Sequence, residues 1–351
     1  MVRGASTSIF WPAATIYAIV WAACCLLLSL QCTSCQPLSP SARRDAKDVD
    51  TTRLVIFLLQ YAHSLHCCCV RWHTGVMQLV LALIAAATAL APQNAIVVGG
   101  SSGMGKAAAK QFVKNGGRAL LVSRSADKLQ RAREEILHAT GADGAAVETA
   151  AVDAADEASV AAFAAGLAPN SYDALVVSAA GRAPHGPVAE LDVADARGMM
   201  DSKFWTAWHC AKHVGPRLAD FGSITFVAGV LNRRPGKNCA PLAATNGALE
   251  GLTRSLALDL GPRLRVNCMS PGFCDTERFD HMDAERKTAM LANTAASLPL
   301  KRVGEPADMG AAIHYLASAQ FVTGIVLDVD GGHGVRQYAD AATDPMRRGD
   351  G

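Results

Sequence analysis

The sequence lacks a strong charge of either sign. Its formal net charge is +2 over 351 residues, too small to argue for nucleic acid or an anionic surface as a partner. No internal repeat is present, so the chain is not an array of like units. Cys32-x-x-Cys35 has no second pair at zinc spacing, so no metal site is expected. Seven of the eleven cysteines precede residue 93. The other four, Cys210, Cys239, Cys268 and Cys274, form no framework and read as buried small apolar residues or spare thiols.

Charge is absent altogether between Arg3 and Arg43. Residues 9–30 are mostly apolar and long enough to span a bilayer, which takes about 20 residues. A second apolar run, 77–91, is shorter and fits a secretory signal core, with small residues at Ala87 and Ala91 near its end. Three readings of residues 1–92 stand side by side. One is a membrane anchor at 9–30. Another is a targeting signal, with Met77 as an internal start. The third is a spurious extension of the gene model. An ordered cytosolic extension fits least, because so much uncharged apolar surface needs a partner. The expected location is therefore membrane-associated, secretory or organellar rather than cytoplasmic.

Half of the residues are apolar, enough for a sizeable core. From about residue 93 to 337 short apolar runs alternate with helical periods, and a polar tail, 338–351, follows. The expected strands are 95–98, 118–122, 145–152, 172–177, 223–227, 264–268 and 324–329. The expected helices are 106–115, 127–138, 157–167, 193–218, 243–260 and 306–317. Repeated βα units force a mostly parallel sheet with right-handed crossovers and helices on both faces. Ligands of such sheets sit outside the carboxyl ends of the strands.

One stretch organises this pattern. Val98-Gly99-Gly100-Ser101-Ser102-Gly103-Met104-Gly105-Lys106 lies between the first strand and the first helix. Glycines there let backbone N–H groups approach a pyrophosphate, and the helix N-terminus adds partial positive charge. The spacing is Gly-x-x-x-Gly-x-Gly. With its flanks it resembles the short-chain dehydrogenase/reductase family, from about Asn94 to His333. The resemblance implies an α/β fold: a Rossmann-like doubly wound parallel sheet of about seven strands in one domain. It also implies assembly through the long helices, so a homo-oligomer is expected, with Trp205, Trp208 and the helix from Ala243 as contact surfaces.

The second strand ends Val122-Ser123-Arg124-Ser125, with no carboxylate before Asp127. An acidic residue there would bind a ribose 2′-hydroxyl, whereas a guanidinium suits a 2′-phosphate. NADP(H) is therefore expected over NAD(H). The resemblance assigns Asp153 to the adenine and Ala180-Gly181 to close passage of the backbone past the cofactor. It assigns Pro271-Gly272 to the turn beside the nicotinamide. Where the family has Asn-Asn-Ala-Gly, this chain has Ser178-Ala179-Ala180-Gly181, which weakens the tie between that strand and its neighbours.

Family members usually reduce a carbonyl with a Tyr, a Lys four positions later, a Ser about 13 residues before the Tyr, and an Asn in the long helix. Alignment on Ala248-Leu249-Glu250-Gly251-Leu252 puts Leu242 at the Tyr, Asn246 at the Lys, Gly229 at the Ser and Lys203 near the Asn. A leucine cannot transfer a proton. The pattern resembles a divergent subgroup that keeps the loop without the usual active-site residues. Two functions follow. One is an NADP(H)-dependent oxidoreductase with a rebuilt site, its acid Lys203 or a water. The other is a silent NADP(H)-binding sensor or scaffold. Arg233 and Arg234 are candidates for an acidic substrate, and 277–297 is expected to cover the pocket. No substrate is specified.

Overall fold

The structure is a computed structural model that describes residues 93–335. The apolar segments 9–30 and 77–91, Cys32-x-x-Cys35 and the tail 338–351 lie outside the described residues. Among the described residues, no helix is long and apolar enough to cross a membrane.

Seven strands form one sheet: β1 Ala95–Val98, β2 Ala119–Ser123, β3 Val147–Ala151, β4 Ala174–Val177, β5 Gly222–Val227, β6 Leu264–Pro271 and β7 Val326–Val329. All pairs are parallel, in the order β3-β2-β1-β4-β5-β6-β7. The alternation of side chains decides what each face packs. Ile96, Val98, Leu120, Val122, Leu175 and Val177 point to one core, and Ala95, Val97, Leu121 and Val176 to the other. Both faces are apolar, so the strands read as continuous hydrophobic runs.

Helices cover both faces. On one side lie α1 Gly103–Lys114 and α2 Ala126–Thr140, which place Ala108, Phe112, Leu129 and Ile136 in the core. On the other lies α3 Glu157–Gly166. The long helix expected at 193–218 is not continuous. It runs as α4 Val193–Met200, a wide π turn at Asp201–Trp205, and α5 Thr206–His213, with a 3-10 turn at Gly215–Arg217. A π turn adds a residue to the helix and re-aims the side chains around it. Here the side chain re-aimed inward is Lys203. The next helix, α6 Ala240–Leu260, starts three residues earlier than expected, with Pro241 in its first turn.

Residues 277–297, unassigned from the sequence, contain α7 Ala284–Ser297, capped by Asp283, whose carboxylate accepts from the Arg286 N–H at 2.8 Å. The last helix, α8 Pro306–Ser318, packs directly on α1. A Cβ at Gly310 would lie 2.6 Å from the Ala107 carbonyl oxygen, so glycine allows the two backbones to touch. The four described cysteines are buried and free. Burial pushes the thiols of Cys210, Cys268 and Cys274 up to about 12, which suits apolar filling rather than chemistry.

The strand order reverses at β1. The chain builds β1, β2 and β3 outward, then returns to place β4 on the other side of β1. Val98 stands level with Val122 and with Val177, so three carboxyl ends open at one place. That switch point is where such sheets form their crevice.

Candidate functional site

The loop after β1 is shaped by what its glycines touch. Gly99 has φ +85°, and a Cβ there would sit 2.7 Å from the Ala179 N. A Cβ at Gly105 would sit 2.2 Å from the Gly99 carbonyl oxygen and 2.4 Å from Ser178 Oγ. Both glycines therefore press the loop onto the end of β4. Gly103 is different. Its φ is +54°, and a Cβ there would make ordinary contact with Thr276 at 3.6 Å and Glu277 at 3.7 Å. Ser102 caps α1 in extended conformation without using its hydroxyl, and Ser101 and Met104 are half-buried beside it. The expected weakening at Ser178 is offset. Its N–H and hydroxyl both donate to the Val98 carbonyl, at 2.9 and 3.2 Å, and tie β4 to β1.

The end of β2 offers donors without protein partners. Ser123 Oγ is buried and has no hydrogen-bond partner. The Arg124 side chain is exposed beside it. Ser125 is partly engaged, since its hydroxyl accepts from the Lys128 N–H at 3.4 Å to cap α2. A buried orphan hydroxyl, an exposed guanidinium and a glycine cradle fit a phosphorylated dinucleotide. Asp153 is exposed at the end of β3, and its Oδ1 accepts from the Ala155 N–H at 3.1 Å. Ala180 is exposed, while a Cβ at Gly181 would meet Ser202 Oγ at 2.7 Å. Pro271 ends β6, and a Cβ at Gly272 would lie 2.6 Å from Asp330 Cα. Close packing on the turn after β7, rather than an unusual φ, explains that glycine.

Lys203 and Asn246, distant in the sequence, meet. Lys203 is only 7% exposed. Its Nζ donates to the Ala228 carbonyl at 2.8 Å and to Asn246 Oδ1 at 2.7 Å. So the side chain points inward, toward the end of β5 and the first turns of α6. The resemblance put an Asn near 203 and a Lys at 246. This chain holds the same two residue types, exchanged and in contact. An ammonium has three N–H donors, and these two bonds leave one over. Burial lowers the Lys203 pKa to about 8, with Cys268 opposing weakly. Leu242 is half-buried and carries no titratable group.

Gly229 completes the exchange. A Cβ there would lie 2.9 Å from Asn246 Nδ2. The Asn246 amide thus occupies the space that a side chain at 229 would need. Adding one is expected to do harm: Gly229→Ser pushes the amide off Lys203 and costs roughly 1–3 kcal/mol. The melting temperature should fall, and adding Asn246→Ala should recover only part of it, because φ at 229 stays at +158° and Lys203 loses a partner. A Gly229→Ser chain as stable as the parent would show that the contact is slack.

The arginine pair expected to bind an acidic substrate is committed elsewhere. Arg233 donates to Glu250 Oε1 at 2.6 Å, to Ser270 Oγ at 3.0 Å, and to the Asp328 carboxylate. It ties α6, β6 and β7 together, and two carboxylates offset its charge. Arg234 Nε donates to the Gly334 carbonyl at 2.6 Å. With Pro235 and His333 the two arginines line a cleft of about 320 Å³ that includes none of the loop residues. Sequence spacing could not show this, because Glu250 and Asp328 are distant in the chain. Among the described residues no group of three or more His, Cys, Asp or Glu side chains is placed to hold a metal.

Sequence reasoning missed one residue at the loop. The Glu277 carboxylate accepts from the Gly103 N–H at 2.8 Å and pairs with Lys106 Nζ at 2.6 Å. Nothing in its local sequence marks it.

Comparisons with known proteins bear on the family and the fold. The family described as enoyl-(acyl carrier protein) reductase matches residues 98–334. The cis-4-hydroxycyclohexanecarboxylate dehydrogenase of Sinomonas cyclohexanicum is 33% identical over 254 residues, which span 70% of this chain and 98% of that protein. The galactitol 2-dehydrogenase (L-tagatose-forming) of Cereibacter sphaeroides is 34% identical over 253 residues, 69% of this chain and 94% of that one. A crystal structure of a small-chain dehydrogenase in complex with NADPH aligns at a TM-score of 0.58 and 32% identity, covering 70% of this chain and 100% of its own.

Proposed function

This chain belongs to the short-chain dehydrogenase/reductase family, and on that premise we propose that it is an NADP(H)-dependent oxidoreductase in which Lys203 replaces the family's tyrosine as proton donor. The observation that carries the reading is the position of Lys203 Nζ, buried and held between Ala228 O and Asn246 Oδ1. NADPH, when bound, supplies the hydride. The chain's part is to bind it and to hold a proton. The loop from Gly99 to Gly105 offers backbone N–H groups to the pyrophosphate. Ser123 and Arg124 offer donors to a 2′-phosphate. The Lys203 ammonium keeps a proton at Nζ for an oxygen that gains negative charge during reduction. Asn246 and the Ala228 carbonyl aim that amine. A small carbonyl compound or its alcohol is the substrate class.

The second reading is a silent NADP(H)-binding sensor or scaffold. Leu242 favours it, because the position of the family's acid carries no exchangeable proton. The same proposal includes a homo-oligomer through the α4–α5 face, where Trp205 and Trp208 are 43% and 42% exposed, and membrane association through residues 9–30.

Fluorescence titration of the full-length chain with NADPH and NADH tests the cofactor assignment. NADPH should bind more tightly. Arg124→Ala should weaken NADPH by roughly 30-fold, the scale of one lost charge-assisted hydrogen bond at ~1.5–3 kcal/mol, and leave NADH nearly unchanged. Equal losses for both nucleotides would remove Arg124 from the 2′-phosphate.

A further inference from the structure

The N-terminus of α1 already holds an anion, and the chain itself supplies it. Glu277 follows Thr276 in the connection between β6 and α7, and begins a 3-10 turn at Glu277–Phe279. Its Oε2 accepts from the Gly103 N–H at 2.8 Å. Its Oε1 lies 2.6 Å from Lys106 Nζ, which also reaches Glu135 Oε2 at 2.6 Å. Gly103 opens α1, so this N–H is one of the helix's unsatisfied donors. A dinucleotide pyrophosphate seeks the same donors and the same end of the dipole.

The segment that carries Glu277 is lightly attached. None of the α7 side chains is buried. Lys287 bridges Asp275 at 3.1 Å and Asp280 at 3.0 Å, which stiffens the turn from within. Phe279 stacks on Phe273 with ring centres 5.1 Å apart. Its ends are tied to the fold, at the Asp275 N–H, which donates to the Gly304 carbonyl at 2.9 Å, and at the buried Leu298, and between them the Glu277 contacts join it to the loop. Segments with little buried apolar surface open at low cost.

We propose that Glu277 is an autoinhibitory latch: its carboxylate stands in for cofactor phosphate on the Gly103–Lys106 turn and must leave when NADP(H) binds. This rests on the cofactor reading above. It adds that apparent affinity is set by competition with an internal anion, and that nucleotide binding frees residues 277–297 to move over the crevice. The carboxylate is charged at neutral pH. Burial raises its pKa, but the hydrogen bonds from Lys106 and Gly103 outweigh that and hold it below the ordinary glutamate value.

The test is Glu277→Gln in the full-length chain. Glu277 lies on the surface, and the amide keeps the shape while removing the charge. NADPH should bind about tenfold more tightly to the variant than to the parent, and the gap should narrow at high salt. Amide exchange in residues 277–297 should rise in the parent when NADPH is added, and should already be high in the variant without it. Equal or weaker NADPH binding by the variant would overturn the latch and leave the cofactor reading standing. If neither chain binds NADPH or NADH, the cofactor reading fails, and inorganic pyrophosphate then decides the latch. Tighter pyrophosphate binding by the variant supports it, and no difference overturns it.

Discussion

Gly105→Ala is expected to weaken NADPH binding by at least ~100-fold and to destabilise the fold. The added methyl would stand 2.2 Å from the Gly99 carbonyl oxygen and 2.4 Å from Ser178 Oγ. Ser178 can rotate away, at the cost of its 3.2 Å bond to Val98. The Gly99 carbonyl belongs to the backbone and cannot move without moving the loop. Overpacking of this kind costs about 1–3 kcal/mol, sometimes more, and each 1.4 kcal/mol of lost binding is tenfold. Gly103→Ala is the control. Its added methyl would only touch Thr276, at an ordinary 3.6 Å, so the strain there comes from the positive φ of +54°. Nucleotide titration and thermal melting of both variants check this. If Gly105→Ala binds NADPH like the parent, the loop is not the phosphate seat.

Lys203→Met should abolish carbonyl reduction, lowering the rate by ~10²–10⁴, the usual contribution of a general acid. NADPH binding should change little. The parent's reduction rate should hold steady below about pH 8 and fall above it, as the amine loses the proton it has to give. Stability should move the other way. Burial depresses the folded pKa from 10.5 to about 8. Between those values the unfolded chain binds a proton that the folded chain has shed, so the parent gains stability as pH rises through this window. Below it both states are protonated, and the folded state bears the whole cost of a buried charge. One pKa unit is worth about 1.4 kcal/mol, so the parent should gain on Lys203→Met by on the order of 3 kcal/mol across the window. Denaturant melts at a series of pH values measure it. If the variant reduces carbonyls as fast as the parent, Lys203 is not the acid. If the parent reduces none at all, the sensor reading stands in its place.

Most of the fold was legible before any coordinates. Strands such as Ala95–Val98 are short, wholly apolar and bounded by turn residues, so their period is unmistakable. The helix expected at 157–167 forms at Glu157–Gly166, where the Asp156 carboxylate caps it by accepting from the Ser159 N–H. The boundaries that slipped are those that neighbours decide. β6 runs on to Pro271 because Ser270 and Pro271 pair with Asp328 and Val329. The break in the long helix at Asp201–Trp205 was not legible. Nothing local distinguishes that turn from ordinary helix, and the side chain it buries, Lys203, meets partners from distant elements. Ser123 and Ser125 flank Arg124 alike in the sequence. Only the structure separates them, by capping α2 with one hydroxyl and leaving the other without a partner.

By itself the sequence determined the parallel sheet and the glycine loop between β1 and α1. These depend on residue type and on spacing along the chain, which local sterics and hydrophobic period translate directly into structure. Tertiary structure alone decided that Lys203 and Asn246 touch, that Gly229 is the space for their contact, that Arg233 is held by Glu250 and Asp328, and that Glu277 sits on the phosphate loop. Each of these is a meeting of charged or polar groups from elements far apart in sequence. Such meetings depend on how helices lie on the sheet, and on the need of every buried charge for a partner.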